Sequence, residues 1–148
     1  MTTTAIRTDS PPARTSSGAA TAYSILMDVV LVGIVALAAM AGEFLKKDGA
    51  RDSYETYINA HSLISEGTEA LVFVAAIVAL TKFRHVKALA IGTPVLLVAM
   101  LFNGYLGGQI VDHGKDYLTI YHVPLAIAIT TLAAYLVSQG IALRKGRI

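Results

Sequence analysis

The sequence predicts an all-α integral membrane protein: an antiparallel, up-down-up-down bundle of four transmembrane helices with both termini cytoplasmic. Three observations carry that expectation. Of 148 residues, 55% are hydrophobic and only 15% charged, against roughly 45–50% and about 25% in soluble domains. The apolar residues fall into four blocks, each close to the roughly 20 residues that cross about 30 Å of hydrocarbon. Lys and Arg are divided unequally between the segments that join the blocks. The same composition argues against a cytosolic enzyme, a DNA-binding module or a secreted disulfide scaffold. Cysteine is absent, which removes disulfides, iron–sulfur clusters and thiolate metal sites. The basic residues behind the formal charge of +2 flank the apolar blocks, so the expected surroundings are a lipid bilayer, with no nucleic-acid partner.

In chain order, residues 1–20 are rich in Thr, Ser, Pro and Ala and hold no apolar run, the composition of a disordered cytoplasmic tail. The transmembrane domain is expected over 21–143. Its first span covers about 23–42, interrupted by Asp28. It ends in Ala39-Met40-Ala41, the small-x-small pattern of a signal-peptidase site, but its length is that of a span rather than a signal core. After a polar segment from Glu43 to Asn59, the second span covers about 60–80 and carries Glu66 and Glu69. A basic turn through Lys82, Arg84 and Lys87 leads to the third span, about 88–108, in which Pro94 is expected to introduce a kink. Gln109 to Asp116 separates it from the fourth span, about 118–141, and residues 144–148 form a basic cytoplasmic tail.

Placing the N-terminus inside puts Arg7, Arg14, Lys82, Arg84, Lys87, Arg144, Lys145 and Arg147 in the cytoplasm, with Lys46, Lys47, Arg51 and Lys115 outside. Eight against four fixes the expected orientation. A bacterial plasma membrane is the simplest location for such a multi-pass chain.

Ionisable groups are costly inside a bilayer, and each needs a reason. His61 opens the second span and His122 the fourth, so both are expected at similar depth near the outer face. In a sequential four-helix bundle these two spans occupy diagonal corners. Two imidazoles facing each other there can supply both axial ligands of one haem b iron. Positions 4, 7, 11 and 15 residues on share the reference residue's helical face. Below His61 these are Ser65, Thr68, Val72 and Ala76; below His122 they are Ala126, Ile129, Ala133 and Val137. These mostly small faces, with Gly104, Gly107 and Gly108 on the third span, leave room for a flat macrocycle. Small residues also drive ordinary helix packing in membranes, and a histidine near the headgroups also serves as a simple interfacial hydrogen-bonding group.

Glu66 lies about 140° around the helix from His61 and Glu69 about 80°, so Glu69 borders the histidine face and Glu66 does not. A proton path, a carboxylate partner for an imidazole, part of a metal site, or a polar contact with a neighbouring helix through Asn103, Gln109 or Glu43 all fit this pair. Asp28, near the inner end, is expected to snorkel. His113, in the Gly-flanked outer loop, and Gln109 are further polar groups on the ligand side, whereas His85 belongs to the inner basic turn. No phosphate-binding loop, nucleophile elbow or HExxH spacing is present.

The stretch Leu101-Phe102-Asn103-Gly104-Tyr105-Leu106-Gly107-Gly108-Gln109-Ile110-Val111, followed by His122 at the head of the next span, resembles heme A synthase. That family carries a Leu-Gly-Gly turn at the outer end of one helix and a histidine opening the next. Its fold is two fused four-helix halves, each with a histidine at the outer end of its second and fourth helices. The similarity covers about residues 23–139, one half's worth of protein, and implies that His61 and His122 are a pair of haem ligands. The chain has no second half; Ile58 stands where the catalytic half has a glutamate, and Ser62 where an arginine often follows the histidine. What the resemblance implies is therefore a small haem b scaffold rather than haem A synthesis. The expected role is electron transfer, in or beside a redox complex with partner subunits. The alternatives are a cofactor-free accessory subunit of an oligomeric membrane assembly, or a metal- or proton-handling protein using Glu66, Glu69 and a histidine.

Overall fold

The computed structural model describes residues 17–44 and 51–148, with side chains for 18–43 and from residue 55 onward. The expected tail up to residue 16 and the charges Lys46, Lys47 and Asp48 lie outside the described residues. Four helices, α1 (Ser17–Phe44), α2 (Arg51–Lys82), α3 (Lys87–His113) and α4 (Thr119–Arg144), with a single 3₁₀ turn at Asp116–Leu118, make up the described chain, and no strand occurs among the described residues. Each helix is long and apolar enough to cross a membrane.

The helices outrun the apolar blocks that predict them. Residues 17–20 belong to α1 rather than to the tail, residues 51–59 of the first polar segment are helical, and α3 continues through Gln109 to His113. A helix satisfies its own backbone groups in lipid and in water alike, so the hydrocarbon boundary does not terminate it. What ends α3 is Gly114, at a left-handed φ of 63°, a conformation costly for residues with a Cβ. Its amide donates to the Ile110 carbonyl at 3.1 Å, and the Lys115 amide donates to that of Gln109 at 3.2 Å. α3 runs as one helix through Pro94 and α4 through Pro124.

Around the bundle each helix packs on its chain neighbours, and α4 closes the ring on α1; α2 and α4 therefore stand on one diagonal, α1 and α3 on the other. Large apolar side chains point outward from all four helices, among them Val32, Phe73, Ile77, Val98, Phe102 and Ile127. An apolar exterior on every side is what a lipid solvent requires and water does not tolerate.

The interior is packed unevenly along its length. At the end holding the α2–α3 turn, burial reaches the last turns of the helices: Ala20, Tyr23, Phe83, Leu89 and Leu143 are all buried. Phe83 plugs that end and meets Tyr23 edge-on, with ring centroids 5.9 Å apart. The Tyr23 hydroxyl crosses the α1–α3 diagonal to Thr93 Oγ1 at 2.8 Å. Small residues bring the backbones together here: a Cβ on Gly140 would lie 3.3 Å from the Ser24 Cα. Toward the opposite end burial stops at Ile34, Thr68, Leu106 and Ile129. Beyond those residues every described interior position is only half-buried or exposed, and this loosely filled end is where the histidines lie.

Candidate functional site

α2 and α4 carry His61 and His122 on the faces that the 3.6-residue period selects. Below His61, Thr68, Val72 and Ala76 are buried; below His122, Ile129 and Ala133 are buried. Ser65, Ala126 and Val137 on the same faces are half-buried. Both histidines are themselves half-buried and stand on diagonally opposed helices.

Each imidazole is held by the helix before its own. His61 Nδ1 lies 3.1 Å from the Leu37 carbonyl oxygen of α1, and His122 Nδ1 lies 3.1 Å from the Asn103 carbonyl oxygen of α3. A carbonyl oxygen only accepts, so Nδ1 carries the proton in both rings. In a neutral imidazole the lone pair then belongs to Nε2. This is the state in which a histidine ligates a metal through Nε2, with its other nitrogen donating to a carbonyl that fixes tautomer and ring orientation.

Glycines on α3 form a wall against which side chains of α4 and α2 rest at this end. A Cβ on Gly107 would lie 3.3 Å from His122 Cε1, so the imidazole rests directly on the α3 backbone. One turn deeper, a Cβ on Gly104 would lie 3.0 Å from Glu69 Oε1. Gly108, by contrast, faces Asp112 of its own helix at an ordinary 3.7 Å and takes no part in the wall. Deeper still, α1 and α2 close together: a Cβ on Gly33 would collide with the Thr68 hydroxyl, which itself donates to the Ile64 carbonyl at 2.7 Å. Val72, Met100 and Ile129, buried in one hydrophobic cluster, form an apolar floor under the histidine layer, with the buried Thr68 beside them.

The remaining polar candidates separate. Glu69 turns inward, half-buried, and accepts a 3.2 Å hydrogen bond from Ser65. Glu66 is exposed on the outer side of α2, as its 140° offset requires. Gln109 Oε1 accepts from Lys115 Nζ at the end of α3. His113 is exposed in the last turn of α3 rather than in a loop, because the helix continues through Leu106-Gly107-Gly108 where the resemblance implies a turn. His85 is exposed in the α2–α3 turn, at the far end of the molecule. Among the described residues no three His, Asp or Glu side chains converge as a metal-binding group. A metal ion bound by protein side chains alone would need such a group; an iron that brings four equatorial nitrogens of its own needs only two imidazoles.

Three parts of the site escape sequence reasoning. The Leu37 and Asn103 carbonyls leave no signal, because every residue has one. Asn103, expected as a polar contact of the glutamate pair, instead buries its side-chain Oδ1 without a hydrogen-bond partner, which its residue type does not foretell. The Gly33–Thr68 closure depends on how α1 and α2 are set against each other, which the pattern of one helix does not encode. Comparison with protein families, with curated proteins and with solved structures finds no match for this chain.

Proposed function

We propose that this chain is a small membrane haem b protein with bis-histidine ligation by His61 and His122, serving electron transfer. The supporting observation is the paired anchoring: two diagonal histidines, each donating Nδ1–H to a backbone carbonyl at 3.1 Å, which leaves ligation to Nε2. Three further features fit the group. The histidine end is loosely filled, Gly104 and Gly107 keep Cβ atoms out of the wall, and an apolar floor lies beneath.

When bound, haem supplies one-electron chemistry between ferric and ferrous iron. The chain's own residues set its character. Leu37 and Asn103 orient the imidazoles. Thr68, Val72, Met100 and Ile129 keep water from the deeper side. With both His61 and His122 as its ligands, the group would supply electron transfer rather than oxygen chemistry.

The excess of Lys and Arg at the opposite end of the bundle supports an orientation with both termini cytoplasmic and the histidines near the outer face. A bacterial plasma membrane, beside a redox partner complex, is the corresponding location. The alternative, a cofactor-free accessory subunit, is favoured by one observation. Glu66 is exposed on α2, where lipid offers a carboxyl nothing and a partner helix would.

The deciding experiment is a dithionite-reduced minus oxidised spectrum of detergent-purified protein supplied with haem, repeated for His61→Ala and His122→Ala. A b-type α-band present in the wild type and lost in both variants is the expected result. A flat spectrum from folded wild-type protein would sink the haem reading in favour of the accessory one.

A further inference from the structure

We propose that Glu69 is the proton acceptor coupled to reduction of the histidine-ligated site, so that electron entry and proton entry are linked. The inference rests on the haem reading and adds to it a residue that the reading does not use.

The placement carries the argument. Glu69 is a half-buried acid on the flank of α2 that faces α3. Its carboxylate reaches across to α3, where the absence of a side chain at Gly104 gives it room; a Cβ there would stand 3.0 Å from Oε1. Gly104 follows Asn103, whose carbonyl accepts from His122 Nδ1, and precedes by three residues the Gly107 on which His122 rests, so the carboxylate meets α3 beside the stretch that holds His122. Ser65 steadies it with one hydrogen bond at 3.2 Å.

The charged surroundings are sparse. On α2 the neighbouring titratable groups are the acid Glu66 and, about two turns outward, His61. α3 has Tyr105 as its one titratable side chain between Lys87 and Asp112, and α1 has none between Asp28 and Glu43. On α4, Tyr121 and His122 are the titratable groups at this level. Among the described residues, none of the four helices carries a Lys or Arg between its end turns.

In this setting an added electron is a charge that low-dielectric surroundings screen poorly. A proton taken from water onto a Glu69 carboxylate oxygen cancels it. The step balances: an external one-electron donor reduces ferric iron to ferrous, one proton binds one carboxylate oxygen, and no other bond changes. On reoxidation both leave.

The test is redox potentiometry of haem-loaded, full-length protein across the pH range around neutrality. The expected midpoint potential falls with rising pH, approaching about 59 mV per unit for one proton per electron. The slope is retained in Glu66→Gln and Glu69→Asp and lost in Glu69→Gln. A second measurement needs no variant: the reduced-minus-oxidised infrared spectrum should gain a protonated-carboxyl band on reduction. A slope that persists in haem-loaded Glu69→Gln, a wild-type potential independent of pH, or an infrared spectrum without that band overturns the proton role alone. A wild-type protein that takes up no haem overturns the underlying reading, and this inference with it.

Discussion

His61 and His122 are anchored alike: each places Nδ1 3.1 Å from a backbone carbonyl of the preceding helix, Leu37 for the one and Asn103 for the other. The repetition on two separate helix pairs matters chemically. A side-chain acceptor might titrate, or be lost by substitution, whereas a main-chain carbonyl is a permanent acceptor. It imposes the Nδ1–H tautomer for as long as the helices stay packed. Nitrogen-15 solid-state NMR of haem-free protein in bilayers should therefore find the neutral form of both rings protonated at Nδ1. Finding Nε2–H tautomers would remove the main support for ligation through Nε2.

The contact between Gly107 and His122 yields a second expectation. A Cβ at this position meets Cε1 at 3.3 Å, and the two extra methyls of Val would push the imidazole off the α3 backbone and away from the Asn103 carbonyl. Loss of such orienting contacts commonly costs 10–100-fold in metal affinity. Gly107→Val should lower haem affinity by about that factor, with helix content unchanged. Gly108→Ala, at a position with only an ordinary 3.7 Å contact to Asp112, should bind haem as the wild type does. Equal behaviour of the two variants would contradict the wall described for α3.

The contrast between those two glycines shows how far the sequence can be read. The four spans were legible, since bilayer thickness imposes a block length that composition reveals. The interior faces were legible too: counting from His61 leads to Thr68 and Val72, and from His122 to Ile129 and Ala133, all buried. The angular offsets of Glu66 and Glu69 match their exposure, the one exposed and the other half-buried, while the role of the pair is not written in the angles. Helix ends were not legible, because the α2 and α3 ladders continue past the hydrocarbon edge and only Gly114, with its left-handed φ, stops one of them. For the same reason His113 and the Leu106-Gly107-Gly108 run belong to a helix instead of a loop. Nor does a single-helix period tell Gly107 from Gly108, or pair Gly33 with Thr68, since both depend on the axial register between helices.

That register makes the Gly33–Thr68 closure a test with a change of sign. Alanine favours a helix over glycine by about 0.8–1.0 kcal/mol, but here its Cβ would collide with the Thr68 hydroxyl. Overpacking of this kind costs about 1–3 kcal/mol, so Gly33→Ala should destabilise the wild type. In a Thr68→Ala background the colliding atoms are gone, and the same substitution should become stabilising. A double-mutant cycle of unfolding in detergent measures both effects. Additive effects would show that α1 and α2 are not in contact at this level.

At the far end, Tyr23 and Thr93 share a hydrogen bond across the α1–α3 diagonal at 2.8 Å, with both side chains fully buried. The two partners have unequal alternatives. After Tyr23→Phe, the Thr93 hydroxyl can turn to the carbonyl four residues earlier in its own helix, as helical threonines do. The expected loss is then close to the roughly 0.6 kcal/mol typical of a side-chain hydrogen bond in a membrane protein. After Thr93→Val, the Tyr23 hydroxyl stands at the end of a rigid ring beside Phe83, beyond reach of its own backbone. A buried hydroxyl left without a partner costs about 1–3 kcal/mol, so Thr93→Val should be the more destabilising although it preserves shape better. Neither substitution touches the histidine layer, which lies beyond the floor formed by Val72, Met100 and Ile129. Unfolding midpoints should thus fall in the order wild type, Tyr23→Phe, Thr93→Val, while haem content and α-band position stay constant. A reversed order would mean that the hydroxyl pair is not the contact that holds this end together.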